Sequence, residues 1–207
     1  MNRTFALGAQ TLKRSFQCMG LLMAFACSSF GSLITFTDIT TASGTIGSTS
    51  FTSALITISA VGDTSNIQSF SGGFSINDDS ASITINGLGT FPFITGTRFF
   101  VNNLNETPGF SRATGADLID GPTDPAFSSW NMLTSIGPIT GDTGQILQWT
   151  LIPVLTSGGV LVLDNAYPTD ITFSAQVGAP VPEPGTLLLL ATGLLGVGRF
   201  VKRKIAS

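Results

Sequence analysis

The sequence predicts an all-β fold, a single antiparallel β-sandwich or jelly-roll-like domain between an N-terminal signal helix and a C-terminal transmembrane helix. Between residues 32 and 178 the chain is rich in Thr, Ser, Gly, Ile, Val and Phe and contains no lysine. Side chains that are β-branched or aromatic favour strands. Apolar and polar residues also alternate with period two in nine or ten short runs, and turn residues separate the runs at intervals of roughly 8–12 residues.

The predicted strands are the alternating runs bounded by Gly, Asn or Asp. They cover residues 33–37, 51–59, 67–70, 74–76, 81–85, 91–94, 97–101, 146–152, 160–163 and 171–175. Gly44 and Gly47 are predicted to end the first strand, and the pairs 72–73 and 86–87 to form turns. The stretch 102–145 is predicted to be a long irregular segment with a short helix near 126–133. Loops of that length are either functional or surface decoration.

Residues 1–31 have the organisation of a secretory signal peptide. Positive charges at Arg3, Lys13 and Arg14 precede an apolar core over 18–26, which is the order that the secretion translocon recognises. Cleavage after Ala26 and cleavage after Gly31 both fit the small residues there. We therefore predict export by general secretion, followed by a mature domain over 32–178.

The last segment, 179–207, has three physically different parts in an order that suits a membrane. Prolines keep its first residues extended, and an apolar helix is predicted over 187–201. Fifteen helical residues span about 22 Å, less than the roughly 30 Å of a hydrocarbon core, so this helix is a marginal span. A basic cluster that would remain on the cytoplasmic side follows. It comprises Arg199, Lys202, Arg203 and Lys204.

This tail resembles the PEP-CTERM sorting signal of Gram-negative bacteria. The resemblance is carried by Val181, Pro182, Glu183 and Pro184, by the Leu-rich run after them and by the basic cluster. Arg199 departs mildly from the pattern because it shortens the apolar run. The resemblance implies an exosortase as a partner, contact with the membrane through the C-terminal helix before processing, and delivery to the cell surface or the exopolysaccharide matrix. Removal of the tail and its retention as an anchor both remain open.

Charge and cysteine content exclude several classes of function. Between residues 32 and 182 two basic residues stand against eleven acidic ones, a net charge of −9. A domain this acidic is not expected to bind nucleic acid, because nucleic-acid affinity rests on basic contacts to phosphate. Both cysteines, Cys18 and Cys27, lie in the predicted signal peptide. Cys27 leaves a lipoprotein alternative open, and the mature domain is expected to contain no disulfide.

Catalysis has few candidate groups, and we predict that the protein is not an enzyme. The chain has no histidine, which excludes Ser-His-Asp catalysis and zinc bound by histidine. Glu106 is the single glutamate of the predicted mature domain, and most aspartates stand beside Gly, Asn or Pro, where they favour turns. A pair of carboxylates that hydrolyses a glycan remains open as a weaker alternative.

The sequence contains two candidate binding sites, one for Ca²⁺ and one for a sugar, and each also has a simpler structural interpretation. No cofactor is expected. Asp117, Asp120 and Asp124 place three carboxylates in a short stretch, where they form either a Ca²⁺ site or a solvated acidic turn.

The aromatic residues that could stack on a sugar are Trp130, Trp149 and Tyr167, alongside Phe99 and Phe100. Trp130 lies in the irregular stretch and is the candidate to test, whereas Trp149 lies among apolar residues and is expected in the core. Phe99 and Phe100 are adjacent in a strand and face opposite sides, so either one is exposed or both are buried between layers.

The sequence therefore predicts a secreted protein with a structural or adhesive role at the cell surface or in the exopolysaccharide matrix. The alternative is an extracellular carbohydrate- or calcium-binding module. A hydrolase acting on glycans is the weaker alternative. The identity of any polysaccharide is left open by the sequence.

Overall fold

The computed structural model describes residues 31–179, which form thirteen β-strands and two short 3-10 helices. The predicted signal peptide (except Gly31), the predicted helix 187–201 and the sorting motif lie outside the described residues. The strands are β1 Leu33–Ile46, β2 Thr49–Asp63, β3 Gln68–Phe70, β4 Gly73–Asn77, β5 Ser80–Ile85, β6 Gly89–Pro92, β7 Thr97–Asn102, β8 Thr107–Arg112, β9 Asp117–Asp120, β10 Ile136–Ile146, β11 Val154–Thr156, β12 Gly159–Leu163 and β13 Ala166–Val177. The 3-10 helices are Thr64–Asn66 and Pro125–Ser128.

All thirteen strands belong to one antiparallel sheet, which confirms the predicted all-β class. The main path of hydrogen-bonded neighbours runs β3-β4-β7-β8-β9-β10-β13-β1-β2-β5-β6. The hairpin β11–β12 lies off this path and joins it where β12 pairs with residues 44–46 of β1. A single bridge between Phe93 and Thr156 links the same hairpin to the chain just after β6.

The sheet curls so that strands distant in the pairing order share one core. Phe36 of β1 and Phe99 of β7 stack with ring centroids 4.6 Å apart, although four strands separate β1 from β7 along the sheet. Phe110 and Phe173 also pack against Phe99. One face of the sheet thus closes over its own aromatic and aliphatic side chains, as the two layers of a sandwich would do.

Alternation along the strands decides which side chains enter this core. In β1, Ile34 and Phe36 are fully buried while Thr35 between them points outward, as the period-two geometry of a strand requires. β1 does not end at Gly44 as predicted, because that residue sits beside a bulge and the strand continues to Ile46. A Cβ at Gly44 would lie 2.1 Å from the carbonyl oxygen of Val162, so glycine is needed here for close approach of β12.

The stretch 102–145 is more regular than predicted, since it contains β8, β9 and β10. Its alternation is masked by glycines and prolines within the strands, such as Pro108, Gly109 and Pro138. The predicted helix over 126–133 is replaced by the 3-10 helix Pro125–Ser128, whose Phe127 is buried.

The predicted strand over 146–152 is wrong beyond Ile146. From 147 to 153 the chain is irregular, with a turn over 149–151, and it is held by contacts that local periodicity does not reveal. Trp149 is buried and donates its indole N–H to the carbonyl of Leu118 at 2.8 Å, which confirms its place in the core. The buried guanidinium of Arg112 donates to the carbonyls of Gln148, Trp149 and Ile152.

Candidate functional site

Two cavities meet on the outward face of the curled sheet. They measure about 290 Å³ and 440 Å³ and share Phe100, Asn102 and Asp117 in their walls. We call this continuous depression the polar groove. It crosses β3, β4, β7, β8, β9 and β10. Its walls also include Gln68, Ser75, Arg98, Thr107, Asp120, Thr123, Thr143 and Gln145.

A β-bulge in β9 turns two of the predicted calcium ligands toward this groove. Gly109 pairs with Asp120 and Ser111 with Asp117, so the register slips by one residue at Leu118. Two residues three positions apart would face opposite sides of a regular strand, whereas the extra residue of a bulge restores them to the same side. Leu118 and Ile119 are both buried, and the two carboxylates flank them in the groove wall.

The third predicted ligand, Asp124, does not join them. Its carboxylate accepts the N–H of Ala126 at 2.8 Å and caps the 3-10 helix Pro125–Ser128. Among residues 31–179 no cluster of three or more carboxylate, histidine or cysteine side chains is placed to hold a metal ion. The structure therefore does not assemble the calcium site of Asp117, Asp120 and Asp124 that the sequence suggested, because Asp124 serves as a local cap.

Trp130 also lies elsewhere than the sequence suggested. Its side chain is 5% exposed, and its ring packs edge-on against Phe127 and Phe173. The indole N–H donates to the carbonyl of Thr134 at 2.8 Å. A ring enclosed in this way offers no face to a sugar, so Trp130 is a core residue that anchors the 125–135 segment.

Burial raises the pKa of both groove carboxylates. The pKa of Asp120 rises to about 6, first through burial and then through the neighbouring charge of Asp117. Burial also raises the pKa of Asp117, and the guanidinium of Arg98 opposes that increase. Arg98 is itself oriented by donating its Nε–H to the hydroxyl of Ser111 at 2.8 Å.

A further carboxylate lies in the core. Asp38 of β1 is 1% exposed, and neither of its oxygens has a hydrogen-bond partner among the described residues. Burial, and then the charge of Asp120, raise its pKa to about 8. Period-two alternation places Asp38 on the inward side of β1 together with Ile34 and Phe36, so the local pattern was sufficient to locate this buried group.

The groove itself was missed by sequence reasoning because its strands β8, β9 and β10 were not predicted. One signal was present: Phe99 and Phe100 are adjacent in a strand and must face opposite sides. The structure buries Phe99 completely and leaves Phe100 half-buried in the groove.

The predicted sorting residues Val181 to Pro184, the basic cluster and the membrane helix fall outside the described residues. Within 31–179, the structure contains no helix of sufficient length and hydropathy to cross a membrane.

Comparison with known proteins bears directly on that tail. The family model of the PEP-CTERM protein-sorting motif matches residues 180–204. No curated protein and no solved structure matches the chain. The matched motif implies processing by an exosortase in a membrane. The chain therefore carries a PEP-CTERM sorting motif, which supports an exosortase-sorted protein of the cell surface or the extracellular space.

Proposed function

We propose that the protein has a structural or adhesive role at the cell surface or in the exopolysaccharide matrix, and that it is not an enzyme. The observation that carries the proposal is the sorting motif over 180–204, joined to a domain whose described part is one all-β sheet. A protein delivered outside the cell in this way, without histidine anywhere in its chain, is better suited to binding and scaffolding than to acid–base chemistry at neutral pH.

Glycan hydrolysis is the weaker alternative. It needs one protonated acid and one ionised carboxylate whose pKa values are pushed apart by their surroundings, and burial raises the pKa of both Asp117 and Asp120. The alternative of a carbohydrate-binding module has a specific observation in its favour, the polar groove, whereas a calcium-binding module has no assembled ligand set among the described residues.

Replacing Pro182, Glu183 and Pro184 by alanine tests the sorting step. The variant should still be exported, but it should remain uncut in the membrane fraction. Deletion of 187–207 is the matched control and should release an unsorted soluble domain to the periplasm. If the triple variant loses its tail and reaches the surface normally, the motif is not the processing signal.

Loss of the protein tests its role. Cells without the chain should attach less firmly to surfaces or form a weaker matrix, and the wild-type gene should restore both properties while the triple-alanine gene should not. Attachment and matrix stiffness that are unchanged in cells without the chain would contradict a structural or adhesive role.

A further inference from the structure

The polar groove follows one row of paired residues across six neighbouring strands. Gln68 pairs with Ser75, Ser75 with Phe100, and Phe100 with Gly109. Gly109 pairs with Asp120, and Asp120 with Gln145. Paired residues of adjacent antiparallel strands project from the same face, and strands lie about 4.8 Å apart. The row thus forms a band about 24 Å long that runs perpendicular to the strands.

An aromatic ring lies at the middle of this band in a fixed position. A Cβ at Gly109 would lie 2.3 Å from Cζ and 2.6 Å from Cε1 of Phe100, so the Phe100 ring occupies the space that a side chain on β8 would fill. The ring is laid over the neighbouring strand and is half-buried. It presents an apolar platform in the middle of an otherwise polar band.

Hydrogen-bonding groups surround the platform, and several are already oriented. The Asn102 amide oxygen accepts the N–H groups of Leu104 and Asn105 at 3.1 Å each, which leaves the amide N–H₂ as a donor. At the β10 end, the hydroxyls of Thr107 and Thr123 lie 3.2 Å apart. Thr143 accepts the backbone N–H of Thr123 at 2.8 Å. Preformed cavities with a few convergent polar groups and an apolar platform are typical of ligand sites, and the two cavities together fall within the usual range of about 300–1,000 Å³.

The chemistry of the groove excludes several ligands. Polyanions, including nucleic acids and acidic polysaccharides, would meet two carboxylates and one arginine in the groove, within a region of net charge −9. An extended peptide binds to a sheet mainly through unpaired backbone groups at an edge, whereas this band crosses the face, where the strands are already paired with each other. Recognition must therefore come from side-chain amides, hydroxyls and carboxylates, which suit a ligand rich in hydroxyl groups.

From this geometry we propose that the polar groove binds an uncharged polysaccharide chain, with one sugar ring stacked on Phe100 and its neighbours hydrogen-bonded to Asn102, Asp117, Asp120 and Gln145. A polysaccharide would be the ligand through which the protein performs the adhesive role proposed above. Only the biological significance of the binding rests on that proposed function. Binding can be measured on isolated protein, so failure of this proposal and failure of the sorting proposal are distinguishable.

The experiment is affinity electrophoresis of the full-length chain, kept in a mild detergent, through gels that contain one polysaccharide each. The neutral probes are hydroxyethylcellulose, dextran and a galactomannan, and alginate is the anionic probe. We expect at least one neutral probe to retard the chain and alginate not to do so. Phe100→Ala and Gln145→Ala should each weaken the retarding interaction, Phe100→Ala by about tenfold, which is about 1.4 kcal/mol.

Leu55→Ala is the matched control, because Leu55 is an apolar side chain that is 51% exposed on β2, a strand outside the groove. It should leave retardation unchanged. Melting temperatures of all variants establish that they fold, and Gln145→Ala tests the groove independently if Phe100→Ala unfolds. The proposal is overturned if no neutral probe retards the wild-type chain, if alginate retards it equally, or if folded Phe100→Ala and Gln145→Ala chains both bind as the wild type does.

Discussion

Removing the buried charge of Asp38 should change how the stability of this domain depends on pH. Asp38 faces the core from β1, is 1% exposed and has no hydrogen-bond partner among the described residues. Its pKa is raised from 3.8 to about 8, mainly by burial. Over much of the pH range between those values the folded chain holds this proton, while the unfolded chain has lost it. Asp38→Asn keeps the shape of the side chain and removes the titrating group.

The sign and size of the effect follow from proton linkage. Stability changes with pH in proportion to the protons bound by the unfolded chain minus those bound by the folded chain. For Asp38 this difference is close to minus one between about pH 5 and pH 7, so the group lowers the unfolding free energy by about 1.4 kcal/mol per pH unit there. The stability that the Asp38 side chain provides while it is protonated is complete below about pH 4 and is lost as the pH rises toward about 8.

Two further carboxylates act in the same direction. Burial raises the pKa of Asp78 to about 7 and that of Asp120 to about 6. We therefore expect the wild-type domain to be more stable at pH 5 than at pH 7. Because the pKa of Asp78 is raised by its own burial and not by Asp38, Asp38→Asn should remove only the share of the slope that belongs to Asp38 and leave that of Asp78 in place.

Urea denaturation at half-unit steps from pH 4.5 to pH 8, followed by tryptophan fluorescence, measures this slope. The Asp38→Asn chain should be more stable than the wild type at pH 7 and should show a slope shallower by about 1.4 kcal/mol per pH unit between pH 5 and pH 7. Thr40→Val is the control, since Thr40 is a buried neutral neighbour on the same strand. It should shift the whole curve without changing its slope.

The reasoning would be refuted by a wild-type domain whose stability rises steadily from pH 5 to pH 7. An Asp38→Asn chain with the wild-type slope would refute it equally, because the carboxylate would then have to be ionised in the folded state. An ionised Asp38 in the folded state would need a hydrogen-bond donor, a positive charge or a water molecule beside its carboxylate.

Three other measurements test separate parts of the chain. Arg112→Ala should lower the unfolding free energy by about 3 kcal/mol, because the carbonyls of the 147–153 segment lose their donor; a loss below about 0.5 kcal/mol in urea titration would contradict this. Gly44→Ala should cost about 1–3 kcal/mol, since its Cβ would meet the Val162 carbonyl oxygen, whereas Gly96→Ala, whose Cβ would meet Ala113 at an ordinary 3.6 Å, should cost little. N-terminal sequencing of protein collected outside the cell should find a first residue between Cys27 and Leu33, and Met1 on that material would contradict signal cleavage.

Most of the all-β architecture could be predicted from the sequence because strand patterns are local. β1, β2, β5 and β7 follow from alternating β-branched and aromatic residues, and the 72–73 and 86–87 turns from their glycines. The strands that were wrongly predicted or missed lie where long-range contacts override the local pattern. The run 146–152 has the alternation of a strand, yet the burial of Trp149 and the donors of Arg112 hold most of it in an irregular conformation. In β8 and β10, glycines and prolines hide strands that pairing with neighbours stabilises.

The sequence by itself identified the sorting motif of this protein, because a Pro-Glu-Pro motif, an apolar run and a basic cluster are contiguous segments whose chemistry depends little on the rest of the fold. It likewise determined the acidity of the domain. Only the tertiary structure decided which side chains meet. A bulge at Leu118 turns Asp117 and Asp120 to one face, the core encloses Trp130, and strand pairing aligns Gln68, Phe100 and Gln145 in one groove. Such a row depends on register between strands far apart in the chain, and a shift of one residue would turn each side chain to the other face.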